Sequence, residues 1–205
     1  GVTHRLWKVE ETAPFEKAFQ EIPKLYIADG HHRCKSASRA AAEEQAKNAS
    51  HTGTEEYNFF PAVVFPMSDM KIMAYNRVIH DVPDDFLSKL GENFDLRANV
   101  EPKPSKKGDL SIYIDGKWHG TTLPLKRNSN SVEKLDVHRL QEFLLDPMLD
   151  ISDPRRDENI SFVGGIRGTE ELERLVDEGK ADMAVSMYPT RIEELIHVSD
   201  EGLLM

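Results

Sequence analysis

The sequence is poor in cysteine, in long apolar runs and in net positive charge. Cys34 is the single cysteine among 205 residues, so neither an intrachain disulfide nor a thiolate metal cage is possible. No apolar run approaches the roughly 18 residues that a membrane-spanning helix needs. The formal net charge of −10 disfavours general polyanion binding, which usually requires a basic face. These absences favour a cytoplasmic protein that neither spans a membrane nor binds nucleic acid.

Several familiar binding motifs are missing as well. The chain contains no G-x-x-x-x-G-K-[ST] phosphate loop and no G-x-G-x-x-G dinucleotide fingerprint. It contains no H-E-x-x-H pair, and its isolated histidines lack the spacing of metal ligands. A phosphate site in this chain must therefore be built from other elements.

Strand patterns recur along the chain. In the first part the candidates are THRLWKV, KLYIA, FFPAVVFP and MKIMAYNRVIHDV, and we expect the last two to be neighbours in one sheet. Further on, Asp115-Gly116 suits the two-residue type I′ turn of a hairpin within LSIYIDGKWHGTTL. The stretch from NISFV onward predicts a strand, a glycine-rich loop, a helix, a strand and a helix.

Amphipathic or alanine-rich segments between these strands predict helices. They are APFEKAFQEI, residues 31–47, PDDFLSKLGENF with Gly91 at its C-terminal stop, and LDVHRLQEFLLDPML. Helices interleaved with strands and one hairpin predict an α+β (mixed α/β) fold, a mixed β-sheet with packed helices. We expect residues 1–82 and 83–205 to form two portions packed as one unit. The strand-like opening suggests a piece of a longer chain.

The stretch DGHHR, residues 29–33, places positive charge at the end of a helix that disfavours it. Cations near a helix N-terminus oppose its dipole by roughly 0.3–1 kcal/mol each. Lys35 adds to the conflict, whereas Arg39 has a partner in Glu43 one turn later. A bound anion would relieve the conflict, because the free N–H groups of a helix start also favour one.

Each residue type in this turn suits a step of phosphate chemistry. Gly30 lets the backbone approach a ligand closely, and Arg33 and Lys35 supply positive charge for a phosphate or carboxylate. The catalytic candidates are Asp29, which would hold Mg²⁺ or accept a proton, and His31 and His32, which would donate to phosphate or shuttle protons. The alternative is that Asp29 caps the helix and the histidines are surface residues.

A second candidate is the loop Gly164-Gly165-Ile166-Arg167-Gly168. Three glycines and one arginine can form an anion-binding nest of backbone N–H groups. The alternative is a tight turn with Arg167 in solvent. Since both loops combine a strand, a Gly/Arg turn and a helix, we expect them to meet at one pocket.

A third candidate is Tyr75-Asn76-Arg77, in the middle of a β-rich run. Polar residues there either line a cleft or face solvent. We predict that they line the pocket, with an exposed strand face as the alternative.

With these residues in view, the chain resembles the family grouped as domain of unknown function 1015 (DUF1015). The matching stretches run in order through most of the chain: THRLWKV, LYIADGHHRCKSASRA, FFPAVVFP, IMAYNRVIHD, LDVHRLQEFLLDPML, ISFVGGIRGTEELERLVDEG and AVSMYPTRIEELIHVSDEG. The resemblance implies a protein longer at both ends, with a Pro-Pro-Lys-Ser-Thr stretch after Met205 that would help to complete a phosphate site. It names no reaction.

The DGHHR turn is also similar to the helix-start signature of the ParB, sulfiredoxin and free-serine kinase superfamily. That resemblance implies a ParB/sulfiredoxin-like element whose turn holds nucleotide phosphates, with ATP or ADP and Mg²⁺ as cofactors and serine or phosphoserine as a substrate. Asp29 would then hold the metal or act as base. Sulfiredoxin chemistry is disfavoured, because Cys34 follows the arginine instead of lying within the turn.

The leading hypothesis is an enzyme that binds a nucleotide or small phosphorylated metabolite and performs phosphoryl transfer or phosphate hydrolysis. The alternatives are a non-catalytic sensor that uses the same pocket, ParB-like DNA binding, which the net charge disfavours, and structural assembly without a small ligand. The sequence gives no indication of the oligomeric state.

Overall fold

The computed structural model describes residues 1–203 and divides the chain into two compact units. The first unit is Gly1–Val64, and the second begins at Phe65. The division after residue 82 stays a prediction.

The first unit contains two helices joined by irregular backbone. They are α1, Ala13–Gln20, and α2, His31–Lys47, and a short 3₁₀ turn follows at Glu56–Asn58. Both helices confirm the sequence prediction, including the bounds of α2.

The strands predicted within THRLWKV, KLYIA and FFPAVVFP are wrong, because none of these segments is a strand in the structure. A strand pattern reports apolar side chains at the right spacing. It does not supply the second strand that the backbone N–H and C=O groups must pair with. FFPAVVFP is consequently not the sheet neighbour of the strand that contains Tyr75, which has two other partners.

The second unit is built on one six-stranded sheet in the order β2-β4-β3-β6-β1-β5. The strands are β1 Tyr75–Ile79, β2 Arg97–Ala98, β3 Asp109–Ile114, β4 Lys117–Thr122, β5 Ile160–Gly164 and β6 Met183–Met187. Every pair of neighbouring strands is antiparallel. The α+β class is confirmed and the expected mixed sheet is wrong.

The strand directions have a simple topological reason. β5 and β6 are joined by a helix, as the sequence pattern predicted, and they run in the same direction. They are not neighbours, because β1 lies between them and pairs antiparallel with both. The helical connection therefore leaves no parallel pair in the sheet.

The hairpin between β3 and β4 confirms the turn prediction. Asp115 and Gly116 have φ values of 51° and 71°. A type I′ turn requires positive φ at both of its central residues, and this turn matches the twist of the flanking strands.

The helices of the second unit follow the predicted segments with small differences in their ends. They are α3 Phe86–Asn93, α4 Asp136–Leu140, α5 Asp146–Leu149, α6 Glu170–Asp177 and α7 Ile192–Asp200, with a wide π-helical turn, Gln141–Leu145, joining α4 to α5. Gly91 lies inside α3 and not at its stop, because the helix continues to Asn93. No helix among residues 1–203 has the length and apolar character needed to cross a bilayer.

Hydrophobic cores lie on both faces of the sheet. On one face Ile79, Ile112 and Val185 belong to a core that also contains side chains of the helices α3 and α4: Phe86, Leu90 and Leu140. On the other face Val78 and Ala184 belong to a core with Leu172 of α6. Since side chains alternate along a strand, Tyr75 and Arg77 lie on the same face as Ile79.

The first unit has no buried residue, although it is rich in large apolar side chains. Leu6 is 98% exposed and Trp7 is 77% exposed. Local opening free energies are low where few apolar contacts are buried. The backbone hydrogen bonds of α2 therefore lack the protection that a packed core provides.

We expect the amide hydrogens of α2 to exchange with solvent much faster than those of β3 and β6, which are buried throughout. Hydrogen–deuterium exchange followed by mass spectrometry measures both in one experiment. Equal protection of α2 and β3 would contradict this expectation.

Candidate functional site

The DGHHR turn starts α2 without a side-chain cap. The N-cap residue is Gly30, at a φ of 81°, and the helix start has no side-chain cap hydrogen bond among residues 1–203. The first intrahelical bond runs from the Cys34 N–H to the Gly30 carbonyl at 2.9 Å. The amides of residues 31–33 have no intrahelical acceptor, as in any helix start. Asp29 is therefore not the cap that the alternative interpretation required.

The charged side chains of this turn are held loosely. Arg33 Nη2 lies 3.8 Å from Asp29 Oδ2, and the two side chains are 84% and 97% exposed. An exposed ion pair of this kind contributes at most about 1 kcal/mol. Both groups are consequently free to reorient towards a ligand. Arg39 contacts Glu43 at 3.6 Å, as its i,i+4 spacing predicts.

Asp29 is suited to binding a metal ion only together with the oxygens of a bound phosphate. No three His, Cys, Asp or Glu side chains in the described part of the chain converge as metal ligands. Mg²⁺ is often held by one or two carboxylates together with substrate phosphates and waters. A single exposed carboxylate beside a phosphate-binding turn is compatible with that second arrangement.

The GGIRG loop is a tight turn with two of its amides already bonded. The Gly165 N–H donates to the Ala74 carbonyl at 2.7 Å, and the Gly168 N–H donates to the Gly165 carbonyl at 3.2 Å. Gly168 has a φ of 77°, which favours glycine. Arg167 is largely exposed and lies 3.6 Å from Glu171. These contacts explain two of the glycines without an anion.

The Tyr75-Asn76-Arg77 segment forms most of β1, and only Tyr75 has the exposure expected of a solvent-facing strand. Asn76 is buried and its Oδ1 accepts a hydrogen bond from the Met187 N–H at 3.0 Å, which ties β1 to β6. Arg77 is only 6% exposed. The exposed-face alternative is therefore wrong for Asn76 and Arg77.

The second and third candidates meet in the second unit. Tyr75 is the register partner of Gly164, and Arg77 is the partner of Phe162. These four residues share one face of the sheet, because register partners in an antiparallel pair point to the same side. The DGHHR turn belongs to the first unit, and its convergence with GGIRG remains a prediction.

Phe162 is a member of this group that sequence reasoning missed. Its ring stacks on that of Tyr75, with centroids 5.0 Å apart and an interplanar angle of 8°. The Arg77 guanidinium lies 4.5 Å from the Phe162 centroid and 5.1 Å from the Tyr75 centroid. The one sequence signal for Phe162 is the polar–apolar alternation of Ser161 and Phe162 in the strand NISFV. Ordinary core strands show the same alternation.

Arg77 has no acidic partner within ion-pair distance in the described residues. Its Nη1 donates to the Tyr75 carbonyl and, at 3.5 Å, to the Asn76 carbonyl, while its buried Nε has no partner within residues 1–203. Burial lowers the pKa of Arg77 to about 10. The guanidinium therefore remains a cation at neutral pH.

The cleft between the β3–β4 turn and α3 has the wrong charge for phosphate. It has a volume of about 570 Å³ and is lined in part by four aspartates: Asp84, Asp115, Asp177 and Asp182. None of the predicted site residues lines it. An anion is disfavoured there by like charge.

A model of the family described as "Protein of unknown function (DUF1015)" matches residues 1–138. No curated protein and no solved structure gives a significant match to the chain. The DUF1015 resemblance is thereby confirmed over residues 1–138, whereas nothing in the comparisons supports the resemblance to the ParB and sulfiredoxin superfamily.

Proposed function

We propose that this chain, which belongs to the DUF1015 family, binds a nucleotide or small phosphorylated metabolite through the DGHHR turn and acts in phosphoryl transfer or phosphate hydrolysis. The family description names no activity, so the proposal depends on the turn itself. The proposed substrate is serine or phosphoserine, on the basis of the free-serine kinase resemblance alone.

The observation that carries the proposal is the uncapped start of α2. Gly30 provides no side chain to occupy the first amides, and His31, His32, Arg33 and Lys35 follow within little more than one turn. A helix that must only be stable is expected to carry the opposite charge there. An anion satisfies both the amides and the cations.

The turn contains the groups that phosphoryl chemistry requires. Arg33 and Lys35 would neutralise phosphate charge, and the α2 amides would orient it. Asp29 would accept a proton or supplement a phosphate-bound Mg²⁺, while His31 and His32 would donate to phosphate oxygens or carry protons. When bound, Mg²⁺ would neutralise developing charge on the phosphate.

A non-catalytic sensor is the second candidate. The side chains of Asp29 and Arg33 are exposed, and exposed groups act in water, where electrostatic stabilisation of a transition state is weak. Binding without turnover of ATP, pyrophosphate or phosphoserine would favour this candidate over the enzyme. ParB-like DNA binding is disfavoured by the net charge of −10.

Replacing Arg33 with alanine should weaken phosphate binding by about tenfold or more, because a charge-assisted hydrogen bond contributes about 1.5–3 kcal/mol. Titration calorimetry with ATP, ADP, pyrophosphate, phosphoserine and phosphate, each with and without Mg²⁺, measures the effect. Amide chemical shifts of residues 30–34 locate the bound ligand.

Arg39→Ala is the matched control, because Arg39 is an equally exposed arginine of the same helix that pairs with Glu43. It should leave every affinity unchanged. Equal losses in the two variants would indicate general charge attraction. The absence of binding by any of these compounds to the unsubstituted chain would overturn the proposal.

A further inference from the structure

Two buried arginines of the second unit differ sharply in their partners. Arg77 and Arg139 are each 6% exposed. Arg139 Nη1 contacts Asp136 at 2.8 Å, and its other nitrogens donate to the carbonyls of Leu123 and Pro124. Within the described part of the chain, Arg77 bonds only to backbone carbonyls of its own strand, through one nitrogen. A buried cation normally requires a carboxylate or an equivalent anion.

The aromatic contacts of Arg77 compensate its burial only in part. The guanidinium lies within 6 Å of both the Tyr75 and Phe162 ring centroids, a distance at which cation–π attraction operates. Aromatic faces leave the N–H groups in the guanidinium plane without acceptors. The buried Nε remains unpaired among the described residues.

The sheet face beside Arg77 has space for a ligand. An added Cβ on Gly164 would find no heavy atom within 4 Å, in contrast to neighbouring Gly165, where it would meet the Ala74 backbone. Tyr75, the register partner of Gly164, is 54% exposed. Gly164 lies diagonally across from Arg77, and such neighbours are roughly 7–8 Å apart.

We infer that Arg77 binds the carboxylate or phosphate of a small organic anion whose flat body lies over Gly164 and against the ring of Tyr75. The anion supplies the acceptor that the guanidinium lacks, and Phe162 holds Tyr75 in place from its other side. This site lies wholly in the second unit and does not depend on the proposed role of the DGHHR turn.

A structural role for Arg77 predicts a different response to substitution. If the guanidinium only supports the fold, Arg77→Met should lower the melting temperature, as loss of a bonded buried group does. A buried cation whose role is to bind a ligand destabilises the unliganded protein. Its replacement by an apolar residue of similar length should then leave the melting temperature unchanged or raise it.

The binding test uses phenyl phosphate, benzoate and inorganic phosphate as probes on the whole chain, with uncharged benzamide as a control. The Arg77 Nε–Hε signal in a nitrogen–proton NMR spectrum should shift with phenyl phosphate or benzoate and not with benzamide. Which of the two binds tighter decides between phosphate and carboxylate. Inorganic phosphate alone should bind more weakly, because it lacks the body that stacks on Tyr75.

The variants make the outcome decisive. Arg77→Met should weaken binding of the tighter-binding probe by at least about tenfold, because one charge-assisted hydrogen bond contributes that much to affinity. Arg77→Lys should retain a part of the affinity, since it keeps the charge and loses the planar fork. Arg139→Met serves as the control for a buried arginine with a partner, and its melting temperature should fall. A fall of equal size in Arg77→Met, or no shift of the Arg77 signal with any anion, would overturn the inference.

Discussion

Replacing Arg139 with methionine should lower the free energy of unfolding by about 3–5 kcal/mol, because the change leaves a buried carboxylate without its cation. Asp136, like Arg139, is 6% exposed. The guanidinium also joins α4 to the end of β4, through the carbonyls of Leu123 and Pro124. Urea unfolding followed by circular dichroism measures the loss.

The pH dependence of this variant separates a lost charge partner from lost packing. Burial raises the pKa of Asp136 above 3.8, while the Gly108 amide and Arg139 both favour the charged carboxylate. Removing Arg139 should raise that pKa further. An acid with a raised native pKa stabilises the fold most below its unfolded pKa and loses this contribution as pH rises through the native value. The deficit should therefore be largest at neutral pH and shrink as the pH falls towards about 4.

Two further variants test the cause. Adding Asp136→Asn to Arg139→Met should recover part of the stability. In the unsubstituted protein the Gly108 N–H lies 2.7 Å from Asp136, and an amide oxygen still accepts that hydrogen bond without a buried charge. Arg174→Met removes an exposed arginine that pairs with two glutamates, and it should cost less than about 1 kcal/mol. Similar deficits for Arg139→Met and Arg174→Met would contradict the argument.

Gly165→Ala should destabilise the second unit by about 1–3 kcal/mol, the range for overpacking. A Cβ at this position would lie 2.7 Å from the Ala74 carbonyl oxygen and 2.9 Å from the Ala74 nitrogen. Both are backbone atoms, so relief requires the two chain segments to separate. The same separation would lengthen the bond between the Gly165 N–H and the Ala74 carbonyl.

The neighbouring glycine provides a matched control for urea unfolding. Gly164 has a φ of −62°, and an added Cβ would meet no atom within 4 Å. Gly164→Ala should therefore leave the free energy of unfolding unchanged. If Gly165→Ala were equally harmless, close approach to Ala74 would not explain that glycine. An anion-binding nest would then be the better explanation of the GGIRG pattern.

The elements that sequence predicted well are those whose stabilising contacts are local. α2 has its predicted bounds because helix hydrogen bonds join residues four apart, and the Asp115-Gly116 turn forms because two residues determine its geometry. Strand patterns failed in KLYIA and FFPAVVFP because pairing depends on a second segment. The sheet order was inaccessible for the same reason, since β1 takes its neighbours from far along the chain.

The candidate site shows the same division. Tyr75, Arg77 and Gly164 were selected from the sequence as chemically unusual residues, and the structure places them on one sheet face. These residues were selected for their chemical type and their spacing in the sequence. The burial of Arg77 and its contact with Phe162 depend on the register of β1 with β5, which no local pattern encodes.

The insertion of β1 between β5 and β6 also determines when the protein is able to fold. Ile79 pairs with Met183, about a hundred residues later in the chain. At a synthesis rate of about 5–20 residues per second, β1 waits about 5–20 s on the ribosome before this partner exists. The sheet centre therefore cannot assemble until β6 has been synthesised. Contacts this distant in sequence also slow refolding of the finished chain.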